Sequence, residues 1–287
     1  MKLTATWYKL ALGAILIILF FLTYPIYTGQ ISFSPIAFYL GNFPVHWYGI
    51  IMATGIYTAY LINLRFALNH NSKISLDHIS SASIWAILGG IIGARLLFVV
   101  LKWSDFANSI PEIFSLQGGG LSIHGAILGG LIAVIIYSRI NRLNWLNLAD
   151  LMVIGIPIGQ VIGRFGNFIN QEAYGGATSL PWKMYISPIN RPVGMEEIAF
   201  YHPTFLYEGI LLIVLYFMIR KIANHNSWPG KTFVTYLMGY SVIRLFTEYF
   251  RIDSDYIGIL SYAQLASVMI LIGVIIWYYL QRKSHDS

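Results

Sequence analysis

Eight apolar runs of roughly membrane-crossing length limit how this chain can fold more than any other feature. A helix needs about 20 apolar residues to cross about 30 Å of hydrocarbon. Only 10% of the 287 residues are charged, against about 25% in an ordinary globular domain. The sequence therefore predicts an all-α integral membrane protein with about eight transmembrane helices and an extracytoplasmic loop region. The runs are Tyr8–Tyr27, Tyr48–Phe66, Ser81–Leu101, Leu121–Tyr137, Leu148–Val161 (short for a span), Thr204–Ile219, Phe233–Phe250 and Leu260–Leu280.

The positions of the basic residues predict the orientation. If the amino terminus is cytoplasmic, the inside segments contain eleven of the 18 Lys and Arg residues, as the positive-inside rule requires. Both termini are then cytoplasmic, and the longest non-apolar segment, residues 164–203, lies outside. The eleven residues are Lys2, Lys9, Arg65, Lys73, Arg139, Arg142, Arg220, Lys221, Lys231, Arg282 and Lys283.

The first run has two interpretations. Lys2 and Lys9 before an apolar stretch also fit a secretory signal peptide, but no small-x-small cleavage site follows. We therefore expect residues 1–30 to form an uncleaved anchor helix and residues 31–287 to form a single membrane domain. The chain contains no cysteine, which excludes disulfides, thiolate metal sites and cysteine nucleophiles.

Five ionisable residues, Arg95, His124, Arg164, Glu208 and Arg244, lie within predicted spans or at their ends. The predicted topology places all five in the outer half of the membrane. A charge inside a bilayer costs a few kcal/mol, so such residues indicate function. Arginine offers a planar fork of donors that suits phosphate, and two arginines could stabilise a leaving phosphate without a metal. No metal-ligand spacing is present, and neither a metal nor a cofactor is predicted.

The seventh run contains four polar residues on one helical face, Tyr240, Arg244, Glu248 and Arg251, spaced by four, four and three. An intrahelical salt bridge to either arginine would account for Glu248. It accounts less well for Arg244, because a buried arginine costs more than such a pair returns.

Glycines four residues apart predict a closely packed pair of helices. Gly89 and Gly93 lie in the third run, and Gly125 and Gly129 lie in the fourth. Small residues at this spacing let two helix backbones approach each other. We expect these glycines to serve architecture and not chemistry.

The stretch GRFGNFINQEAYGG, residues 163–176, resembles the signature of the prolipoprotein diacylglyceryl transferases, integral membrane enzymes of bacteria. Further resemblances follow in the family's order: HWYG at 46–49, GGGLSIHG at 118–125, HPTFLYE at 202–208 and GYSVIRLFTEYFR at 239–251. They cover the chain from about residue 35 to its end. Three features depart from the family pattern: the first run is extra, Ala126 replaces a glycine, and no proline follows Arg251.

The resemblance implies a reaction at the outer face of the cytoplasmic membrane. The diacylglyceryl group of phosphatidylglycerol would pass to the lipobox cysteine of a lipoprotein precursor, forming a thioether and releasing glycerol phosphate. The implied partners are phosphatidylglycerol, prolipoprotein signal peptides and membrane lipids, with no nucleic acid. The implied catalytic residues are Tyr48, His124, Arg164, Tyr240 and Arg244. The substrate-binding candidates are Arg164, Asn167, Asn170, Glu172, Gly175 and Arg244, and the supporting candidates are Arg95, Glu208, Glu248 and Arg251.

Within this family reading, Arg164 and Asn167 would contact the headgroup, and Gly166 and Gly175 would let backbone come close. Glu172 would position an arginine or the incoming peptide.

Activation of the thiol, which needs ionisation to react, has two possible routes. His124 could act as a general base, or the positive field of the two arginines could lower the pKa of the thiol. A helix start keeps imidazole neutral, which favours the base. Alternatively, His124 only orients the headgroup or the helix through a hydrogen bond.

Two other functions fit convergent charges between helices. One is a transporter or channel, which should show interrupted helices and often an internal repeat, and the sequence shows neither. The other is a different lipid-modifying enzyme of the outer leaflet, such as an acyltransferase or phosphatase.

Overall fold

The helices follow the apolar runs, with short strands between some of them. The computed structural model describes residues 23–31, 33–70, 72–107, 110–114, 120–225, 228–254 and 256–285. Beyond a helical stretch at 23–27, these residues form ten α-helices. The helices are α1 (Trp47–Asn69), α2 (Leu76–Leu101), α3 (Trp103–Phe106), α4 (Ile110–Phe114), α5 (Ile123–Ile140), α6 (Trp145–Met152), α7 (Ile156–Asn170), α8 (Thr204–Ala223), α9 (Lys231–Glu248) and α10 (Tyr262–His285).

Three antiparallel hairpins join the helices in the described part of the chain. They pair β1 (Ile36–Leu40) with β2 (Phe43–His46), β3 (Met184–Tyr185) with β4 (Phe200–Tyr201), and β5 (Tyr256–Ile257) with β6 (Leu260–Ser261). The first and last hairpins turn at Gly41 and Gly258, which have φ of +60° and +62°. The protein is mostly helical, as predicted, and the short ribbons are an addition to the predicted all-α class.

Among the described residues, fewer helices combine spanning length with apolar composition than the eight spans predicted. Among the described residues, α1, α2 and α5 are long and apolar enough to cross a membrane, and α6 with α7 gives a fourth if the bent pair is one span. Helices α8 and α9 occupy the sixth and seventh runs, but each carries three charged residues. Helix α10 is apolar over Tyr262–Trp277. Residues 8–22 of the first run lie outside the described residues.

The chain divides into two compact units. The first unit contains Met1–Gly55, Gln160–Leu212 and Ser241–Ser287, and the second contains Ile56–Gly159 and Ile213–Tyr240. In the first unit, four residues of the segment 171–203 form a buried cluster with Phe168 of α7 and Phe205 of α8; the four are Tyr174, Met184, Ile186 and Tyr201. This cluster packs the polar segment after α7 against both helices.

Close packing of α2 against α5 organises the second unit. A Cβ atom on Gly93 would lie 2.4 Å from the carbonyl oxygen of Gly125, and one on Gly129 would lie 2.2 Å from that of Gly89. Real Cβ atoms do not approach so closely, so these positions require glycine. The close helix pairing predicted from glycine spacing is confirmed.

The predicted fifth span, Leu148–Val161, is wrong as a continuous helix. The chain breaks at residues 153–155 and bends by 49° between α6 and α7. Pro157 lacks the N–H that a continuous helix would use there, and a Cβ on Gly155 would lie 2.2 Å from the carbonyl oxygen of Ala59. Helix α7 then runs on to Asn170, so the predicted outer loop from residue 164 begins with seven helical residues.

A buried amide satisfies the backbone at this break. Asn63, 4% exposed, donates from Nδ2 to the carbonyl of Met152 at 2.7 Å and accepts from the N–H of Gly155 at 2.7 Å. Backbone groups left unpaired in an apolar setting cost free energy. The side chain of Asn63 therefore stabilises the bend.

Candidate active site

One face of α7 begins a network of polar side chains in the first unit. Arg164, Asn167 and Asn170 follow one another at three-residue spacing, which brings them onto the same side of the helix. Arg164 Nη1 donates to Asn167 Oδ1 at 3.1 Å, and Asn167 Nδ2 donates to Glu172 Oε1 at 2.8 Å. Asn167 thus connects Arg164 to Glu172.

Glu208 of α8 faces both predicted phosphate-binding arginines. Its side chain is only 3% exposed, and its Oε1 accepts from Arg164 Nη2 at 2.5 Å. Its Oε2 lies 3.6 Å from Arg244 Nη1. The two oxygens of one buried carboxylate therefore hold two guanidinium groups from different helices near each other.

Arg244 also pairs within its own helix. Its Nη2 donates to Glu248 Oε2 at 2.5 Å, four residues along α9. Glu248 Oε1 in turn accepts from Ser254 Oγ at 2.6 Å. The intrahelical salt bridge considered for Glu248 is therefore present, and the cross-helix contact to Glu208 accompanies it.

Arg251 makes a different pair. Its Nε and Nη2 donate to the two carboxylate oxygens of Asp253, each at 2.9 Å. This fork geometry is the strong form of an arginine–carboxylate pair. Arg251, the other arginine considered as a partner for Glu248, therefore pairs with Asp253.

The charges of the central groups balance. Two arginines face two carboxylates, Glu208 and Glu248, each 3% exposed. Buried carboxylates need such partners because desolvation of an unpaired charge is costly. The side chains of Arg164 and Arg244 keep 20% and 15% of their surface exposed, so an anion can approach both guanidinium groups.

The end of α7 fixes Glu172. The N–H of Glu172 donates to the carbonyl of Asn167 at 3.0 Å, and the N–H of Gln171 donates to that of Phe168 at 3.1 Å. These two bonds define a Schellman motif, whose left-handed position is usually glycine. Gln171 occupies it with φ of 51°, and Ala173 follows at 56°. The left-handed conformation costs a side-chain-bearing residue about 1–2 kcal/mol.

The side chain of Gln171 offsets part of this cost. Its Oε1 accepts from the N–H of Ser187 at 2.8 Å and from Asn190 Nδ2 at 3.2 Å. A glycine at this position could make neither bond. Gln171 therefore ends the helix and docks the following loop.

Two glycines allow close approach around the network. A Cβ on Gly166 would lie 2.7 Å from the ring of Tyr48, and one on Gly175 would lie 2.7 Å from the carbonyl oxygen of Phe250. Gly175 also donates its N–H to the carbonyl of His202 at 2.9 Å. Gly166 thus seats α7 on Tyr48, and Gly175 ties the loop to two neighbouring segments.

An open cavity of about 430 Å³ lies beside Glu172 in the same unit. The buried Oδ1 of Asn170 has no hydrogen-bond partner within the described part of the chain. A ligand with a donor group would satisfy it. The cavity is lined by Asn170, Gln171, Glu172, Ala173, Tyr174, Asn190, Pro192, Ile252 and Asp253.

Three predicted residues belong to the second unit. His124 is exposed and is the second residue of α5, two positions after the capping residue Ser122, whose Oγ accepts from the N–H of Gly125 at 3.4 Å. Tyr240 stacks on Tyr236 with ring centroids 5.9 Å apart. Arg95 binds backbone carbonyl groups.

The other predicted site residues lie within the first unit. They are Tyr48, Arg164, Asn167, Asn170, Glu172, Gly175, Glu208, Arg244, Glu248 and Arg251.

Sequence reasoning missed a hydrogen-bonded chain in the first unit. Tyr27 donates to the carbonyl of Trp182 at 2.5 Å, Trp182 Nε1 donates to Tyr207 Oη at 2.8 Å, and Tyr207 Oη lies 3.0 Å from His202 Nδ1. Burial lowers the pKa of His202. The HPTFLYE stretch contains His202 and Tyr207, but only the turn between β4 and α8 shows that they meet. Ser254 and Asp253 were also missed, because no pattern marks the residues after Arg251.

The chain is similar to proteins of one named activity. A family model described as prolipoprotein diacylglyceryl transferase matches residues 35–279. A protein of Gloeobacter violaceus named phosphatidylglycerol–prolipoprotein diacylglyceryl transferase is 40% identical over 91% of this chain and 97% of its own length. Proteins with the same name from Synechocystis sp. and Clostridioides difficile are 38% and 39% identical, over 90% and 88% of this chain and 94% and 97% of their own lengths.

Proposed function

Since the chain belongs to the prolipoprotein diacylglyceryl transferase family, it is a bacterial membrane diacylglyceryl transferase of lipoprotein biogenesis, and we propose that its acceptor is the lipobox cysteine of a precursor. The resemblance drawn from the sequence motifs is confirmed. The donor is phosphatidylglycerol, which the names of the relatives state for those proteins. The observation that carries the proposed mechanism is the pair of arginines held by one buried glutamate.

In the proposed reaction, Arg164 and Arg244 bind the phosphodiester of phosphatidylglycerol. The cysteine sulfur attacks the glyceryl carbon that bears the phosphate, so a C–S bond forms while the C–O bond to phosphate breaks. The electron pair of that bond leaves with the oxygen, and glycerol phosphate is released. Two guanidinium groups aimed at this oxygen stabilise the charge that develops there.

Amide groups would hold the rest of the headgroup. Asn167 and Asn170 share the helical face of Arg164, and the unpaired Oδ1 of Asn170 suits a glycerol hydroxyl or a peptide N–H. Glu172, fixed by the helix end and by Asn167, lies at the cavity that either substrate would enter. We assign these residues to binding, and Gly166 and Gly175 to the close backbone approach around Tyr48 and His202.

The thiol proton needs an acceptor, and we propose His124 for that role. A neutral imidazole can accept a proton, and a general base contributes typically 10²- to 10⁴-fold. The His124→Gln enzyme should lose most of its activity at neutral pH and regain part of it toward the thiol's own pKa, about 8.5. A normal rate across that range would leave the arginine field as the mechanism.

We further propose eight spans, a retained first helix, an active site at the outer leaflet of the cytoplasmic membrane and two cytoplasmic termini. The basic residues support this orientation. Thr178→Cys and Ser284→Cys would report it in this cysteine-free chain. Labelling of Ser284→Cys but not Thr178→Cys by an impermeant reagent in intact cells would overturn it.

A transporter has one observation in its favour, the break between α6 and α7, because broken helices often form transport sites. In this break, however, Asn63 already binds the backbone groups on both sides. A substrate-binding break would offer such groups to the substrate. The transferase therefore stands as the better supported function.

The test is to incubate purified protein with phosphatidylglycerol vesicles and a lipobox peptide. A transferase yields a thioether-linked peptide and glycerol phosphate, whereas a transporter or a different lipid-modifying enzyme yields no thioether. Arg164→Lys and Arg244→Lys should each lose about 10²-fold in rate, as for removal of one well-placed donor. Arg220→Lys, at an exposed arginine on α8, is the matched control. Near-normal rates for both site variants would show that positive charge alone suffices.

A further inference from the structure

Arg95 holds backbone on either side of the segment that leads to His124. Its Nε donates to the carbonyl of Ile113 at 2.8 Å and its Nη2 donates to that of Glu112 at 2.5 Å, both in α4. Its Nη1 donates to the carbonyl of Gly120 at 3.0 Å. The carbonyls of a helix's last turn have no partner within the helix, and a cation is favourable there.

Two aromatic rings lie beside this guanidinium. Its central carbon lies 5.0 Å from the ring centroid of Phe106 and 5.9 Å from that of Phe98. The two rings meet edge to face at 6.1 Å. Arginine stacks on such faces and directs its donors from a rigid plane, which lysine cannot do.

Gly120, which Arg95 contacts, lies three residues before the first residue of α5. Gly120 has φ of +80°, and a Cβ there would lie 2.6 Å from the ring of Phe98 and 2.8 Å from Arg95 Nη1. Two residues later, the N–H of Ser122 donates to the carbonyl of Ala94 at 3.0 Å. Ser122 caps the helix in which His124 is the second residue. The backbone before His124 is therefore attached to Arg95 and to its neighbour on α2.

We infer that Arg95 is a positioning residue, which holds the carbonyls of Glu112, Ile113 and Gly120 so that His124 keeps one place at the start of α5. This inference rests on the proposed role of His124. Arg95 therefore has a different role from Arg164 and Arg244, the two arginines proposed to bind phosphate. At least three of its five N–H groups are engaged by carbonyl oxygens, and binding of a phosphate through them would release the backbone.

Kinetics of Arg95 variants test this role. Arg95→Lys keeps the charge but loses the planar fork, and Arg95→Gln loses both. We expect each to lower kcat by about 10²-fold, the scale of a small misplacement of a catalytic group, with KM for phosphatidylglycerol changed less than about twofold. A phosphate ligand would instead raise KM. Arg139→Gln, at an exposed arginine on α5, should retain the normal rate.

A double variant asks whether Arg95 acts through His124. If it does, Arg95→Gln should cause no further loss in a His124→Gln enzyme, because the group it positions is absent. Multiplying losses would show an independent role and would overturn the inference. A normal rate for the single variant His124→Gln would refute the proposed base and not the attachment of the backbone.

Hydrogen exchange tests the attachment without using activity. In purified Arg95→Lys, amides of residues 110–125 should exchange at least about tenfold faster, since their opening free energy falls with the lost bonds. Amides of α8, in residues 204–212, serve as the internal control for global unfolding. Unchanged exchange over 110–125, with α8 also unchanged, would overturn the inference whatever the rates show.

Discussion

Removing the charge of Glu208 should test the arginine pair directly. Glu208→Gln keeps the size of the side chain but leaves Arg164 and Arg244 without their shared carboxylate. The amide can still accept one hydrogen bond, so the change mainly removes electrostatic attraction. Each guanidinium keeps at least one further contact, Arg164 to Asn167 and Arg244 to Glu248.

The expected loss of stability follows from burial. Breaking a buried ion pair by removing one partner costs about 3–5 kcal/mol. The arginine side chains are 20% and 15% exposed, so water solvates part of the uncompensated charge, and we take the lower end, about 3 kcal/mol. At about 2 °C per kcal/mol for a chain of this size, the midpoint of thermal unfolding should fall by about 6 °C.

The donor lipid should offset part of this loss. Phosphatidylglycerol brings a negative phosphate to the two arginines, and a ligand at 100 times its Kd stabilises the folded state by about 2.7 kcal/mol. The phosphate replaces the missing carboxylate charge only in the variant. Phosphatidylglycerol should therefore raise the unfolding midpoint of Glu208→Gln more than that of the unchanged protein, and diacylglycerol, which lacks the phosphate, should not.

The assay is thermal unfolding of purified protein in micelles with either lipid, followed by the transfer rate at a temperature where both proteins are folded. Glu197→Gln, at an exposed carboxylate in the same unit, is the control and should change neither quantity. An unchanged midpoint for Glu208→Gln would refute the energetic role of the pair. An equal decrease in both lipids would refute binding of phosphate by these arginines.

Three further predictions concern the rest of the chain. Asn63→Ala should lower stability by about 2–3 kcal/mol, because it leaves two backbone groups of the helix break unpaired, as thermal unfolding would show. Gly129→Val should prevent close packing of α2 on α5 and abolish recovery of folded protein, whereas Gly41→Ala, where no atom lies within 4 Å but φ is +60°, should cost about 1 kcal/mol. Burial lowers the pKa of His202 below 6.5, so its contribution to stability is complete above that pH and is lost as the pH falls. His202→Asn should reduce the decrease in unfolding midpoint between pH 7.5 and 5.5, and an unchanged decrease would contradict this.

Local patterns in the sequence predicted much of the fold. The glycine spacing in two apolar runs predicted the α2–α5 contact, because residues four apart share one helix face whatever the rest of the chain does. The helix start at His124 was likewise readable from the end of a polar stretch and the beginning of an apolar one. Such features depend only on neighbours within one or two turns.

The break between α6 and α7 could not be placed from hydropathy. Residues on both sides of it are apolar, and a scan of composition cannot distinguish one span from two shorter helices. Pro157 was a visible signal, but proline is also tolerated in the first turn of a helix. The deciding contacts come from Ala59 and Asn63, about 90 residues earlier.

The pairing of Glu208 was also beyond sequence reasoning. Both arginines and the glutamate were recognised as unusual, since charges in apolar helices need partners. Which partner each one takes depends on how α7, α8 and α9 pack, across 44 residues for Arg164. The i,i+4 spacing predicted Glu248 as a partner of Arg244. It could not predict Glu208, because Glu208 belongs to another helix.

The end of α7 explains why so many polar residues are concentrated between Gly163 and Gly176. Arg164 and Asn167 need a helix, because only helical spacing brings both to one face. Glu172 needs the helix to end, because its carboxylate reaches Asn167 Nδ2 only if the chain turns back within five residues. Gln171 makes the stop by taking the left-handed position and binding the next loop. Hydropathy predicts a loop for these polar residues, but their contacts require a helix followed at once by a turn. Proline cannot adopt the positive φ of Gln171. A Gln171→Pro change would therefore separate Glu172 from Arg164 and Asn167.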